Sequence, residues 1–168
     1  MGIFTSEKFN SLEDLLHHEI KDLYDAEFQI IEVLPQMAAK ATSPNLKQAF
    51  EDHLRQSEKH TQRLESVFEH LGIEPEREKC HGVAGLIKEG STVLSADGDG
   101  DVLDAGLIAA AQRVEHYEIA AYGTVRAFAR QLNNEYAAEL FDQTLEEEKA
   151  TDMLLTEIAE GSVNPASA

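Results

Sequence analysis

Apolar residues recur along this chain at alternating steps of three and four, in four long stretches with almost no two-residue alternation, which is the signature of helices that each bury one face. The four prolines fall near expected helix ends or, for Pro35, inside Leu34-Pro35. Ser11 with Asp14 three residues on forms a capping-box pattern, opening a first helix to about residue 41 whose last turns Pro35 would bend. Ser43-Pro44 supplies a cap and a first-turn proline for a second helix that closes at Gly72, with Pro75 just beyond.

From Glu76 to Asp101 the pattern lapses, apart from a shorter helix expected over 83–96. The Asp97-Gly98-Asp99-Gly100-Asp101 run resembles the start of a calcium loop. Val102 stands where that loop needs glycine, however, and no glutamate follows at the twelfth position, so calcium binding is not expected there. Further helices follow over 102–132 and 134–160, the last capped by Asn133 or Asn134 and ending at Gly161 before a polar tail. The expected fold is therefore all-α, one domain of two helical hairpins joined by a long crossover with a short extra helix. This is the layout of ferritin-like four-helix bundles.

The second hairpin repeats the first. A constant offset of 91 residues, without gaps, matches Glu27 to Glu118, Phe50 to Phe141, Leu54 to Leu145 and Leu64 to Leu155, and sets Ser43 on Asn134. The inward heptad stripes agree as well, running through Leu23, Glu27 and Ile30; His53, Ser57 and His60; Val114, Glu118 and Ala121; and Thr144, Glu148 and Thr151. All four stripes turn polar in their middle. Glu27 and Glu118 stand 16 residues before their turns, while Ser57 and Glu148 stand 14 after, so at roughly 1.5 Å per residue the four lie at nearly one height. His53 and His60 lie one turn to either side of Ser57, and Glu115 and Asp152 flank the layer within one turn.

Three carboxylates inside an apolar bundle would cost several kcal/mol each if ionised and unpaired. No lysine or arginine shares the inward stripe, so compensation falls to shared protons, the two histidines, buried water or metal ions. Two divalent cations would bring four positive charges, and oxygen donors with one or two imidazoles suit iron(II) or manganese. The expected ligands are Glu27, His53, His60, Glu115, Glu118, Glu148 and Asp152.

Composition excludes other classes. With 32 acidic against 14 basic residues and a formal charge of −18, the surface repels nucleic acid and anionic lipid. No apolar run approaches the ~18 residues of a membrane span, and no basic-then-apolar leader opens the chain, so a cytoplasmic protein is expected. Cys80 is the only cysteine, which rules out an intrachain disulfide or a multi-cysteine metal site and reads as a lone thiol in the connecting segment.

The run Val114-Glu115-His116-Tyr117-Glu118-Ile119-Ala120-Ala121-Tyr122-Gly123 resembles the signature of the bacterial YciE/YciF family of ferritin-like stress proteins. Leu23-Tyr24-Asp25-Ala26-Glu27, His53-Leu54 and Glu147-Glu148-Lys149 followed by Asp152 support the resemblance, which spans nearly the whole chain. It implies a four-helix fold, a homodimer and a link to osmotic or related stress. The wider rubrerythrin-like di-iron proteins carry Glu-x-x-His on the second and fourth helices. This chain has Ser57-x-x-His60 and Glu148-x-x-Thr151 there, with His53 and Asp152 as the candidate substitutes. The leading expectation is a stress-linked di-metal protein of peroxide or oxygen chemistry. An alternative is a non-enzymatic protein that sequesters metal or binds a partner, and a third is a metal-free helical scaffold.

Overall fold

A computed structural model describes residues 8–168, and every regular element among them is helical. Helices α1 (Leu12–Lys40) and α2 (Pro44–Leu71) form the first hairpin, α4 (Gly100–Gln131) and α5 (Glu135–Ile158) the second, and α3 (His81–Ser95) lies in the crossover between them. This is the ferritin-like arrangement of two hairpins and one long connection.

Local signals start and stop the helices. Ser11 and Asp14 close a reciprocal capping box, and Ser43 caps α2 with proline in its first turn. Gly72 adopts φ 67, a left-handed conformation that suits glycine, and ends α2 by donating to the carbonyls of Glu69 and Phe68. Asn134 caps α5, and Asn133 before it takes the positive φ of the turn. Asp99, in the acidic loop, accepts from the amides of Asp101 and Val102 and so serves as the cap of α4.

Two hydrophobic cores fill the bundle. One, around Leu16, Ile20, Leu23, Phe68, Val125 and Phe141, lies towards the turn between α4 and α5. The other, around Ile30, Leu34, Phe50, Val83, Leu107 and Leu155, lies towards the turn between α1 and α2 and takes in α3. The polar layer separates them.

Two expectations are corrected. The buried face of α4 takes in Asp104, Leu107, Ile108, Ala111, Glu115, Glu118, Tyr122, Val125 and Ala129, whereas Val114 and Ala121, expected on the inward stripe, are half-buried. Cys80 is, as expected, a lone free thiol in the connecting segment, where it is fully buried as the cap of α3 and its amide donates to Asp25. The C-terminal residues do not form a polar tail, since Gly161 sits in a π-helical segment, Ala159–Val163, followed by α6 (Asn164–Ser167). The wider turn keeps a backbone bond from Asn164 to Ala159 and delivers Val163 into the core at 2% exposure.

Candidate metal centre

Where the two cores meet, α1 presents Glu27, α2 presents His53, Ser57 and His60, α4 presents Glu115 and Glu118, and α5 presents Glu148. None of these seven residues is more than 3% exposed. Their potential ligand atoms fall into two groups: His53, Glu115, Glu118 and Glu148 in one, and Glu27, His60 and Glu148 in the other. Within each group the atoms lie within 4.8 Å of one another, and Glu148 belongs to both.

His60 is held from both sides. Its Nδ1 is 2.9 Å from Glu148 Oε1 and 3.2 Å from Glu27 Oε1, while its Nε2 is 2.8 Å from Glu147 Oε2. Arg63 grips Glu147 with two nitrogens, at 2.6 and 2.8 Å. A neutral His60 would therefore donate Nε2–H outward to Glu147 and turn the Nδ1 lone pair inward, as a metal-bound histidine backed by a carboxylate does. The Tyr122 hydroxyl donates to Glu27 Oε1 at 2.5 Å.

His53 occupies the space beside Thr151, where the rubrerythrin pattern would place a histidine on the fourth helix. Its Nδ1 lies 3.4 Å from Thr151 Oγ1 and 4.0 Å from Glu148 Oε2, and its Nε2 lies 3.7 Å from Glu115 Oε1. Asp152 does not join the layer. Its carboxylate is bonded by Gln112 at 3.0 Å and faces the exposed His116 at 3.3 Å.

The protonation pattern follows from burial and from these neighbours. Burial, reinforced by the charge of Glu148, raises the carboxyls of Glu115 and Glu118 well above their ordinary range. Burial opposes ionisation of Glu148 too, but hydrogen bonding to His60 and the charge of His53 hold it low. Burial also works against a charged His60, yet the surrounding carboxylates of Glu27, Glu147 and Glu148 push it up to about 12. Burial lowers His53. Arg63 first, then His60, draw Glu147 down to about 2.

The buried histidines and glutamates form groups that could hold a metal ion. Both oxygens of Glu118, with Glu27 Oε2, Glu115 Oε2, His53 Nε2 and Ser57 Oγ, are buried without a hydrogen-bond partner. Buried polar atoms are rarely left so. Four glutamates carry, when ionised, the charge that two divalent ions neutralise. Sequence reasoning missed Glu147 and Arg63. Glu147 and Arg63 lie off the inward stripes, although Glu147 stands beside Glu148 and four residues before the layer's Thr151.

Fold and site together define a ferritin-like four-helix bundle with an internal carboxylate–histidine cluster. The family described as "Domain of unknown function (DUF892)" matches residues 11–168, and the chain belongs to that family. It is 43% identical over 155 residues to Protein YciF of Escherichia coli (strain K12), covering 92% of this chain and 93% of YciF. The crystal structure of the E. coli stress protein YciF superposes with a TM-score of 0.89 at 42% identity, over 93% of this chain and 99% of that one. YcfI from Rhodopseudomonas palustris gives a TM-score of 0.87 at 41% identity, over 91% and 98% of the two chains. A protein from Xanthomonas campestris pv. campestris shares the fold, with a TM-score of 0.71 at 20% identity over 92% and 94%. Among the described residues no helix is long and apolar enough to cross a membrane.

Proposed function

We propose that this chain is a stress-associated protein whose polar layer holds two divalent metal ions, iron or manganese. The observation that carries the reading is that Glu148 belongs to two separate groups of buried ligand atoms, the relationship a bridging carboxylate has to a metal pair. Glu118, with both oxygens unpartnered, and Glu27, with one oxygen committed to Tyr122, would supply further oxygens, and His53 and His60 one nitrogen each. Such a pair, when bound, supplies one-electron redox steps toward oxygen or peroxide.

The chain's own contribution is positioning and exclusion. Tyr122 fixes the rotamer of Glu27, the Arg63–Glu147 pair fixes His60, and the two cores keep bulk water from the layer. Similarity to a protein described as the E. coli stress protein YciF supports the stress association. Assembly as a homodimer belongs to the same reading and is measured by sedimentation.

Elemental analysis of untagged protein tests the proposal, beside Glu118→Ala and Glu148→Ala. Close to two iron or manganese ions per chain in the wild type, with both lost in Glu148→Ala and at least one lost in Glu118→Ala, is the expected result. No metal even after anaerobic loading would overturn it. A metal-free structural layer is the second reading, favoured by His60 standing within 3.2 Å of two carboxylates inside the bundle and 2.8 Å from Glu147. That reading requires equal melting temperatures with and without metal, because a specific native-state ligand raises stability by mass action.

A further inference from the structure

A hollow of about 30 Å³ lies between α1, α3 and α4, and its inner end is His53 and Glu115. Its outer wall is made by half-buried Leu86, Ile87 and Leu94 of α3 and Val33 of α1, and its deeper wall by fully buried Ile30 and Leu107. Every other lining side chain is apolar, so the hollow offers no hydrogen bond until it reaches the layer. There it meets His53 Nε2 and Glu115 Oε2, both buried and both without a partner.

Its shape follows from how α3 sits. Among the residues of α3 only Val83 is fully buried. A Cβ built on Gly90 would lie 3.2 Å from the Cβ of Ala110, so α3 and α4 approach closely there through small residues. Small residues at that crossing, and Ala111 one position on, leave space that larger side chains would fill.

We infer that this hollow admits a small non-polar molecule of the dioxygen class to the His53–Glu115 side of the centre. The role rests on the di-metal reading above, whereas the presence of a gas-accessible hollow does not. Space of this size holds about two water-sized molecules, which suits a diatomic gas and is too small for an aliphatic chain. Water or hydrogen peroxide entering it would give up hydrogen bonds that the walls cannot return, whereas apolar cavities stay dry and take up apolar gases.

The test is xenon occupancy in crystals of the full chain under gas pressure, with wild type beside Ala111→Leu, which fills the hollow, and Leu86→Ala, which widens it. Xenon should appear between α1, α3 and α4 in the wild type, vanish in Ala111→Leu and persist in Leu86→Ala. In iron(II)-loaded protein, Ala111→Leu should slow oxidation by dissolved dioxygen roughly ten-fold, equivalent to about 1.4 kcal/mol of barrier, with unchanged metal content. Absence of xenon from the wild-type hollow would overturn the inference, as would an unchanged oxidation rate in a filled variant that still binds metal. If Ala111→Leu fails to fold, Leu86→Ala decides: xenon occupancy with oxidation at least as fast as wild type supports the route, and slower oxidation sinks it. Failure of the protein to bind metal, with xenon still in place, would instead remove the di-metal reading.

Discussion

The Tyr122 hydroxyl donates to Glu27 Oε1 across 2.5 Å, joining α4 to α1 through the middle of the bundle. Glu27 thereby keeps one oxygen bonded and leaves Oε2 without a partner. Tyr122→Phe removes this constraint while preserving the ring that packs near Phe141. Metal affinity should fall roughly 10- to 100-fold, as it does when a partner orienting a ligand is lost. Competition with a chromophoric chelator measures the change, and unaltered affinity would show that Glu27 is positioned without the tyrosine.

The two histidines belong to different groups of ligand atoms, His53 with Glu115 and Glu118, and His60 with Glu27. His53→Ala and His60→Ala should each therefore lower the metal content to roughly one ion per chain, whereas Glu148→Ala should remove roughly both. Elemental analysis of the three variants checks this. Equal losses in all three would mean that the layer holds its metal as one indivisible site.

Much of this centre was legible because turn positions fix height along a bundle. Counting from Ser43 and Asn134 places Glu27, Ser57, Glu118 and Glu148 in one layer, and all four are 0% exposed. The stripe of α4 was less legible, since Val114 and Ala121, which heptad spacing put on it, are only half-buried. Glu115, expected beside that line, is buried in the layer. Asp152 shows the opposite failure, since a residue four positions after Glu148 shares its general face, yet Gln112 and His116 hold its carboxylate away from the layer. The C-terminal π-helical segment left no periodic signal of its own.

Asp104 ties the turn of the first hairpin to the second. Its fully buried carboxylate accepts from the amides of Thr42 and Ser43 and from the Thr42 hydroxyl, at 2.7 to 3.2 Å. Asp104→Ala strands these donors and should cost about 3 kcal/mol. In a chain of this size that lowers Tm by roughly 6–12 °C. Calorimetry tests it, and a loss within error of zero would mean that water replaces the carboxylate freely.

Asp25 anchors the crossover on α1 by accepting from the Cys80 amide, Gln29 and Arg77. Burial works to raise its pKa, but these three donors outweigh burial and hold it below the ordinary carboxylate value. A depressed folded-state pKa adds stability above the unfolded value of about 3.9, and that stability is lost as pH falls through the folded value. The stability difference between wild type and Asp25→Asn should thus be constant near neutrality and shrink as pH falls below about 4. Urea titrations at several pH values measure it, and a difference that grows in acid would reverse the assigned sign.

Cys80 is fully buried, its Sγ lies 3.2 Å from the Tyr117 hydroxyl, and burial chiefly pushes the thiol up to about 11. A raised pKa favours the neutral thiol, so this group's contribution to stability is complete below the free-thiol value of about 8.5 and is lost as pH climbs through the folded value. The thiolate is the reactive form, and the native protein at pH 8 should therefore resist thiol reagents, labelling only as fast as the α3 end of the crossover opens. Full reaction should follow in denaturant. Because the Cys80 amide is bonded to Asp25, Asp25→Asn should speed native labelling without changing the rate in denaturant. Rapid labelling of wild type at pH 8 would mean that the cap of α3 is open in solution, and equal rates in the two proteins would mean that Asp25 does not hold it shut.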